Sequence, residues 1–522
     1  MNKVLEQRLS ALLAEGRRDV LCGGMRGVEK ESLRVTPEGK LSGRSHPLAL
    51  GSALTNEFIT TDFSEALLEF VTPAFSSTWE ALGCLCDIHQ FVYANLDDEL
   101  LWASSMPCLI GDDADIPLAR YGDSNVGKMK TIYRRGLGYR YGRAMQTIAG
   151  LHFNYSLPAS FWPVYRESRK AADELVDFQS AEYLALIRNF RRFGWLVLYL
   201  FGASPAVCKS FVGDAAHSLS EFDAETLYEP FATSLRMSDL GYTNKTQASI
   251  NISLNSLDDY VAGLSAAIDT PEPDYADIGV VVDGRYRQLS ANKLQIENEY
   301  YSPVRPKRVA HSGERPTSAL KRGGIQYVEI RSLDLGLSDP VGINQNIMRF
   351  MESFMVYCLL SDSPLMDSSE FADVLDNHTQ VAHRGRDPKL ELKRHGEAIL
   401  LRDWASEIVE DVIGIAEMMD ANSERDDYTA AARAQAALVE DADATPSAQI
   451  LKDLRDEGVG FFRYALNRAR EHKAYFAALE PLSAEKQAAF EAEAKGSIER
   501  QAEIEAADKI DFATYLADYY AS

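Results

Sequence analysis

Glu29 and Glu31 stand two apart in Gly27-Val28-Glu29-Lys30-Glu31-Ser32-Leu33-Arg34-Val35. Side chains two apart on a strand share a face, so both carboxylates point the same way. Such a pair repels unless a cation lies between the groups or one stays protonated, and hard oxygen donors suit Mg²⁺ or Mn²⁺. Taken alone, the same spacing equally describes an exposed strand face with two solvated glutamates. A second acidic run, Thr60-Thr61-Asp62-Phe63-Ser64-Glu65-Ala66-Leu67-Leu68-Glu69-Phe70-Val71-Thr72-Pro73, puts Glu65 and Glu69 four apart, on one side as helix or as strand. Glu69, between Leu68 and Phe70, would lose hydration without a cation or donors beside it and is the stronger ligand candidate; for Glu65, simply facing water is an open alternative.

In Leu151-His152-Phe153-Asn154-Tyr155-Ser156, His152 and Asn154 alternate with apolar neighbours and share one face. A histidine in this pattern serves either as a ligand or as a hydrogen-bonded core residue. Glu329 and Arg331 pair in the same way within Gln326-Tyr327-Val328-Glu329-Ile330-Arg331-Ser332-Leu333. That pair is either a weak ion pair or a guanidinium placed to clamp a transferring phosphoryl group. The segment Ser302-Pro303-Val304-Arg305-Pro306-Lys307-Arg308 keeps three cations on an extended path suited to polyphosphate, and Thr131-Ile132-Tyr133-Arg134-Arg135 adds aromatic and cationic groups. Gly122-Asp123-Ser124-Asn125-Val126-Gly127-Lys128 imitates a phosphate-binding P-loop, but Met129 stands where the metal-binding hydroxyl belongs. No H-E-x-x-H, G-x-S-x-G or deaminase zinc pattern occurs, which removes those hydrolase readings.

Elements able to position these groups follow from pattern and composition. The 522 residues are 46% hydrophobic and 25% charged, the balance of a globular chain with a large core. Short alternating runs concentrate at 20–160 and 240–340, predicting the strand-rich core; 160–240 and 341–522 read as helical, with clear segments at Ile343–Leu360 and Ala484–Lys509. No linker divides the chain, so one catalytic unit over 1–522 is expected. Residues 421–449, rich in Ala and Asp, look like a loose surface connection.

A net charge of −24 argues against nucleic acid and anionic membranes as partners. Residues 401–522 carry 26 acidic and 13 basic side chains, which reads as a solvated helical face. The N-terminus spaces Leu5, Leu9, Leu12 and Leu13 helically among charges rather than as a leader, and the longest apolar run, Phe193–Ala203, falls short of a membrane span. A cytoplasmic protein is expected. Its six cysteines, with neither paired spacing nor C-x-x-C, are expected to be reduced thiols.

In order along the chain, GVEKESLRV, LTNEFITTDFSEALLEFVTP, MQTIAGLHFNYS, TLYEPFATSLRMSDLGYTNK, LQIENEYYSPVRPKR and GIQYVEIRSLDL closely resemble glutamate–cysteine ligases of the single-domain bacterial class, over essentially the whole length. The resemblance implies an α+β, glutamine synthetase-like catalytic fold: a curved, mainly antiparallel sheet forming half a barrel, surrounded by helices. It implies ATP-dependent joining of the glutamate γ-carboxylate to the cysteine amino group through γ-glutamyl phosphate, the first step of glutathione formation. It further implies metal binding by Glu29, Glu31, Asp62, Glu69, His152 and Glu329, with Mg²⁺ favoured and Mn²⁺ tolerated. Arg331, helped by Arg134, would stabilise the transferring phosphoryl group. Gln146, Asn154 and Arg236 are placed for the amino acids, and Phe63, Tyr133, Tyr242 and Tyr301 for the cysteine pocket. Arg305, Lys307 and Arg308 are weaker candidates for nucleotide phosphate. Glutathione is an expected feedback inhibitor, and a monomer is expected. The rival within the superfamily is a glutamate ligase using another amine.

Overall fold

The computed structural model describes residues 3–13, 19–213, 217–241, 250, 252–311, 313–421 and 423–521. Its centre is an open antiparallel sheet of seven strands: β1 (Met25–Val35), β2 (Ile59–Thr61), β3 (Leu67–Val71), β4 (Leu100–Leu101), β5 (Leu151–Ser156), β6 (Val304–Lys307) and β7 (Tyr327–Leu333). The order is β6-β7-β5-β1-β3-β2, with β4 paired to the end of β1. Strand alternation then sets the chemistry of each face. Glu29 lies opposite His152, Glu31 lies opposite Glu69, and Glu329 lies opposite Asn154. Between Ile330 and Leu333 the β7–β5 register shifts by one residue, a bulge in the strand that carries Glu329 and Arg331.

The other face of the sheet is closed by helices. Gln345–Leu360 is buried almost throughout its length and packs on Leu175–Phe193, Leu401–Asp420 and Asp427–Glu440. Leu5, Leu9 and Leu12 of the Lys3–Leu13 helix join the same core, as their spacing predicts. Trp195–Phe201, inside the longest apolar run, is a wholly buried helix. Among the described residues no helix is long and apolar enough to cross a membrane.

Several expectations need correction. Among its described residues the 240–340 zone supplies only β6 and β7 to the sheet, besides a two-stranded hairpin, and these residues are otherwise helices such as Leu257–Asp269 and loop. The 160–240 zone holds a small three-stranded sheet, Ala206–Cys208, Ser220–Glu221 and Thr226–Tyr228, and 391–400 forms a hairpin within the C-terminal helices. Residues 421–449 are no loose connection: Asp427–Glu440 buries Ala431, Ala432, Gln435 and Val439, because its small side chains allow close helix packing. Glu65 does not face water. It sits in the β2–β3 turn, 6% exposed, where its carboxylate accepts the backbone N–H groups of His46 and Arg120 at 2.7 Å. Cys108 and Cys208 form a disulfide, while Cys22, Cys84, Cys86 and Cys358 are free. The partners lie 100 residues apart in sequence, so spacing could not reveal a pairing made by the fold.

Candidate active site

The acidic face of β1, β3 and β5, with β7, floors a cavity of about 740 Å³. Glu29, His152 and Glu329 each offer a ligand atom within 4.8 Å of the others. His152 Nδ1 is 3.1 Å from Glu29 Oε2, and Asn154 donates to Glu29 Oε1 at 2.8 Å. Glu31 accepts the Gly150 N–H at 2.6 Å and lies 3.6 Å from His152 Nε2. Asp62 and Glu69 line the same cavity, Glu69 facing Glu31 across the β1–β3 pairing. Like charges directly opposite on neighbouring strands are unfavourable. Burial, reinforced by Glu29, Asp62 and Glu31, therefore holds the Glu69 carboxyl well above its ordinary pKa.

Neighbouring cations divide the acids into two groups. Burial opposes charge on Glu329, yet Lys307, Arg331 and His152 outweigh it and keep this carboxyl well below the usual range. Lys307 Nζ lies 3.4 Å from Glu329 Oε2, and Arg331 donates to Oε1 at 3.0 Å. Burial also works against charge on Glu29, but the His152 hydrogen bond leaves it below the ordinary carboxyl value. Glu31 is shifted upward, chiefly by burial. The donor set of carboxylate oxygens and one imidazole, with Glu329 Oε2 buried and without a hydrogen bond, fits a hard divalent cation.

The Asn125–Tyr141 helix forms a second wall. Ser124 caps it by accepting the Gly127 N–H, which gives the false P-loop segment a structural role. Lys130, Tyr133, Arg134, Leu137, Arg140 and Tyr141 recur at helical spacing and line the cavity. Arg134 donates to the Asp62 carbonyl and lies 4.6 Å from the Tyr121 ring centroid. Phe63, Gln146, Tyr301, Arg305, Lys307 and Arg331 also line the cavity.

Three sequence candidates, Arg308, Asn154 and Arg236, are absent from the cavity lining. Arg308 does not line the cavity; it donates to the Gly323 and Gly324 carbonyls. Asn154 reaches the site through Glu29 rather than the cavity wall. Arg236, 1% exposed, lies beneath the wall, donates to the Arg331 carbonyl at 2.9 Å and is 3.5 Å from Asp334. A side chain at Gly150 would run into this guanidinium, so that glycine is required for close approach. Tyr242 lies outside the described residues.

Sequence reasoning missed Lys130, Arg140, Tyr141, Tyr515 and Tyr519, all in the cavity lining. Helical periodicity across 130–141 carried the signal for the first three. Nothing local marks the last two, which arrive on the Phe512–Ala521 helix.

An open antiparallel sheet with helices outside and acids and arginines inside is the α+β catalytic fold of glutamine synthetase-like ligases. The structure superposes on a crystal structure of glutamate–cysteine ligase from Francisella tularensis in complex with AMP, with a TM-score of 0.90 and 37% identity, covering 96% of this chain and 98% of that one. It also shares its fold with a bifunctional glutathione synthetase from Pasteurella multocida, with a TM-score of 0.75 and 24% identity, covering 94% of this chain and 58% of the other. The glutamate–cysteine ligase family pattern matches residues 9–381. The glutamate–cysteine ligase of Alcanivorax borkumensis is 49% identical over 99% of both chains, and that of Pseudomonas putida KT2440 is 48% identical over 100% of this chain and 99% of its own. The chain belongs to the glutamate–cysteine ligase family.

Proposed function

We propose that the chain is an ATP-dependent ligase that joins the γ-carboxylate of L-glutamate to the amino group of L-cysteine, giving γ-glutamylcysteine, and that it acts as one catalytic unit. The observation carrying this reading is the gathering of Glu29, Glu31, Asp62, Glu69, His152 and Glu329 from four strands and a turn into one cavity with Arg134 and Arg331. The family relationship names the substrates, and these residues are the groups such a reaction needs.

A glutamate γ-carboxylate oxygen attacks the γ-phosphorus of ATP, and ADP leaves. The cysteine amine then attacks the acyl carbon of γ-glutamyl phosphate, loses a proton, and phosphate departs with the C–O bond electrons. No enzyme nucleophile is needed, so positioning and charge neutralisation carry the catalysis. Arg331, held by Glu329, presents its guanidinium to the transferring phosphoryl group, and Arg305 and Lys307 receive nucleotide phosphate. Arg134 fixes the Asp62 backbone while facing the same space. Gln146, with Asn154 and Arg236 behind the wall, orients the amino acids; Phe63, Tyr133 and Tyr301 shape the thiol pocket. Divalent cations, Mg²⁺ or Mn²⁺, would be held by Glu29, His152 and Glu329 and by Glu31, Asp62 and Glu69, supplying charge neutralisation of the triphosphate. On the same reading glutathione, which contains the γ-glutamylcysteine unit, inhibits in competition with glutamate, and the enzyme is a cytoplasmic monomer.

The test is phosphate release by the purified chain with ATP and glutamate plus cysteine, 2-aminobutyrate, ammonia or putrescine, with and without Mg²⁺. Release with cysteine that requires Mg²⁺ is expected. Release only with a plain amine would replace this substrate assignment with the rival ligase.

A further inference from the structure

The helices that cover the back of the sheet leave a gap at the end of β7. Leu333 stands two residues after Arg331, and unbroken alternation would aim it at the active site. The bulge instead sets it opposite Leu151, on the side away from His152. There Leu151, Phe201, Leu333, Ile343, Ile347 and Ile450 line a second cavity of about 290 Å³, walled also by the Pro446–Glu457 and Phe461–Ala478 helices. Leu151, Phe201 and Leu333 are buried at its floor, whereas Ser338 and Gln449 at its edge are exposed, so it opens to solvent. Ligand pockets run from roughly 300 to 1,000 Å³, and this one suits a small organic molecule.

The charged groups of this cavity are all of one sign. Asp334, Asp339 and Asp453 line it, and among the described residues no Lys, Arg or His does. Asp334 is already answered from behind the wall: it accepts the Ala203 N–H at 2.8 Å and the Ser234 hydroxyl at 2.9 Å, and Arg236 lies 3.5 Å away. Asp339 and Asp453 accept from neutral groups instead, the Asn344 amide at 3.0 Å and the Tyr464 hydroxyl at 2.9 Å. Burial holds the Asp339 carboxyl above its ordinary pKa, a cost that a cation beside it would relieve. An anion entering here would add like charge in an apolar surround, and a hydrated metal ion would meet hydrocarbon over much of the wall. An organic ammonium matches both parts, its body on the leucines and isoleucines and its N–H groups on the carboxylates. We infer that the cavity behind β7 is a binding site for a small primary amine with an apolar body, separate from the active site. The inference goes beyond the ligase reading and does not depend on it.

Titration calorimetry of the full-length protein with phenethylamine, 2-phenylethanol and 3-phenylpropionate tests it, since the three share a ring and differ in charge. Saturable binding of the amine is expected, about 10-fold tighter than that of the alcohol, with no binding of the anion. Asp453→Asn keeps the shape and removes the charge. It should weaken the amine by about 5- to 10-fold and leave the alcohol within about 2-fold. Gln449→Trp, at the exposed edge, fills the opening and should abolish binding of both, with phosphate release in the absence of amine kept within about 2-fold. That variant separates this cavity from the active site, which also offers carboxylates to an amine. A thermal melt verifies that each variant is folded, and Asp453→Asn decides the matter alone should the tryptophan variant not fold. Absence of saturable amine binding overturns the inference. So does equal affinity for amine and alcohol, or amine binding that either folded variant leaves unchanged.

Discussion

The two faces of β1 treat charge in opposite ways. On the side away from the cavity, Arg26, Lys30 and Arg34 are all buried; the two arginines are paired with carboxylates, while burial pushes the pKa of Lys30, which has no acid beside it, down to about 7. Arg26 pairs with Glu352, which also accepts from Tyr428 at 2.9 Å; Arg34 pairs with Glu99 at 2.8 Å; Lys30 lies 2.9 Å from His89 and from Ser32. On the cavity side, Glu29 and Glu31 join Asp62, Glu69 and Glu329 around one histidine, and the Glu69 carboxyl resists ionisation. Charge neutralised internally holds the sheet on its helices. Charge left for an outside partner is where ligands bind.

Breaking the internally paired face should give the largest change. Glu352→Ala strands Arg26 without a counter-charge and is expected to destabilise the fold by about 3–5 kcal/mol, read by denaturant unfolding, with ligand affinities of the surviving folded fraction unchanged. On the other face, Arg331→Ala should lower the turnover of the folded protein at least ~10²-fold, as steady-state phosphate release would show. Comparable losses from both substitutions in both assays would erase the distinction between the faces.

A subtler test lies in the pH dependence of the paired face. His472 sits beside Lys30 and His89, and burial, with Lys30 adding to it, pushes its pKa down to about 4 from 6.5. The unfolded chain therefore holds the extra proton between those pH values, so stability rises with pH there and is lost as pH falls through the window. His472→Gln removes this contribution. The stability gap between wild type and variant should change by about 3 kcal/mol in the variant's favour from pH 7 to pH 4, measured by unfolding at each pH. A constant gap would mean that His472 does not titrate in this way. The smallest effect sharpens the contrast from the cavity side: Glu69→Gln relieves repulsion and should stabilise the metal-free protein by about 1 kcal/mol in a thermal melt, while reducing Mg²⁺-dependent turnover.

Much of the floor of the site was legible in sequence because strand alternation is local: Glu29 with Glu31, His152 with Asn154, and Glu329 with Arg331 each share the side that a period of two assigns them. Which strands become neighbours was not local, and the facing of Glu31 by Glu69 needed the fold. Glu65 misled because a turn, not a continuous strand or helix, separates it from Glu69, and turn backbone groups satisfy its carboxylate. The placement of Arg308 was not legible because composition cannot distinguish a cation facing the cavity from one bound to nearby carbonyls. The cavity-lining tyrosines of the last helix and the Cys108–Cys208 bond depend on contacts between distant segments, which no spacing rule reaches.

The alternation of β1 also sets a penalty on error. Sliding this central strand by a single residue against β3 and β5 would bring Arg26, Lys30 and Arg34 toward the cavity and turn Glu29 and Glu31 into the buried layer that holds Glu352 and Glu99. The slipped glutamates would meet Glu352 and Glu99, the partners of the displaced Arg26 and Arg34, so a misaligned strand is penalised by like charges on that side. The cavity-facing acids of β1 thereby also help to select the native register of the sheet during assembly.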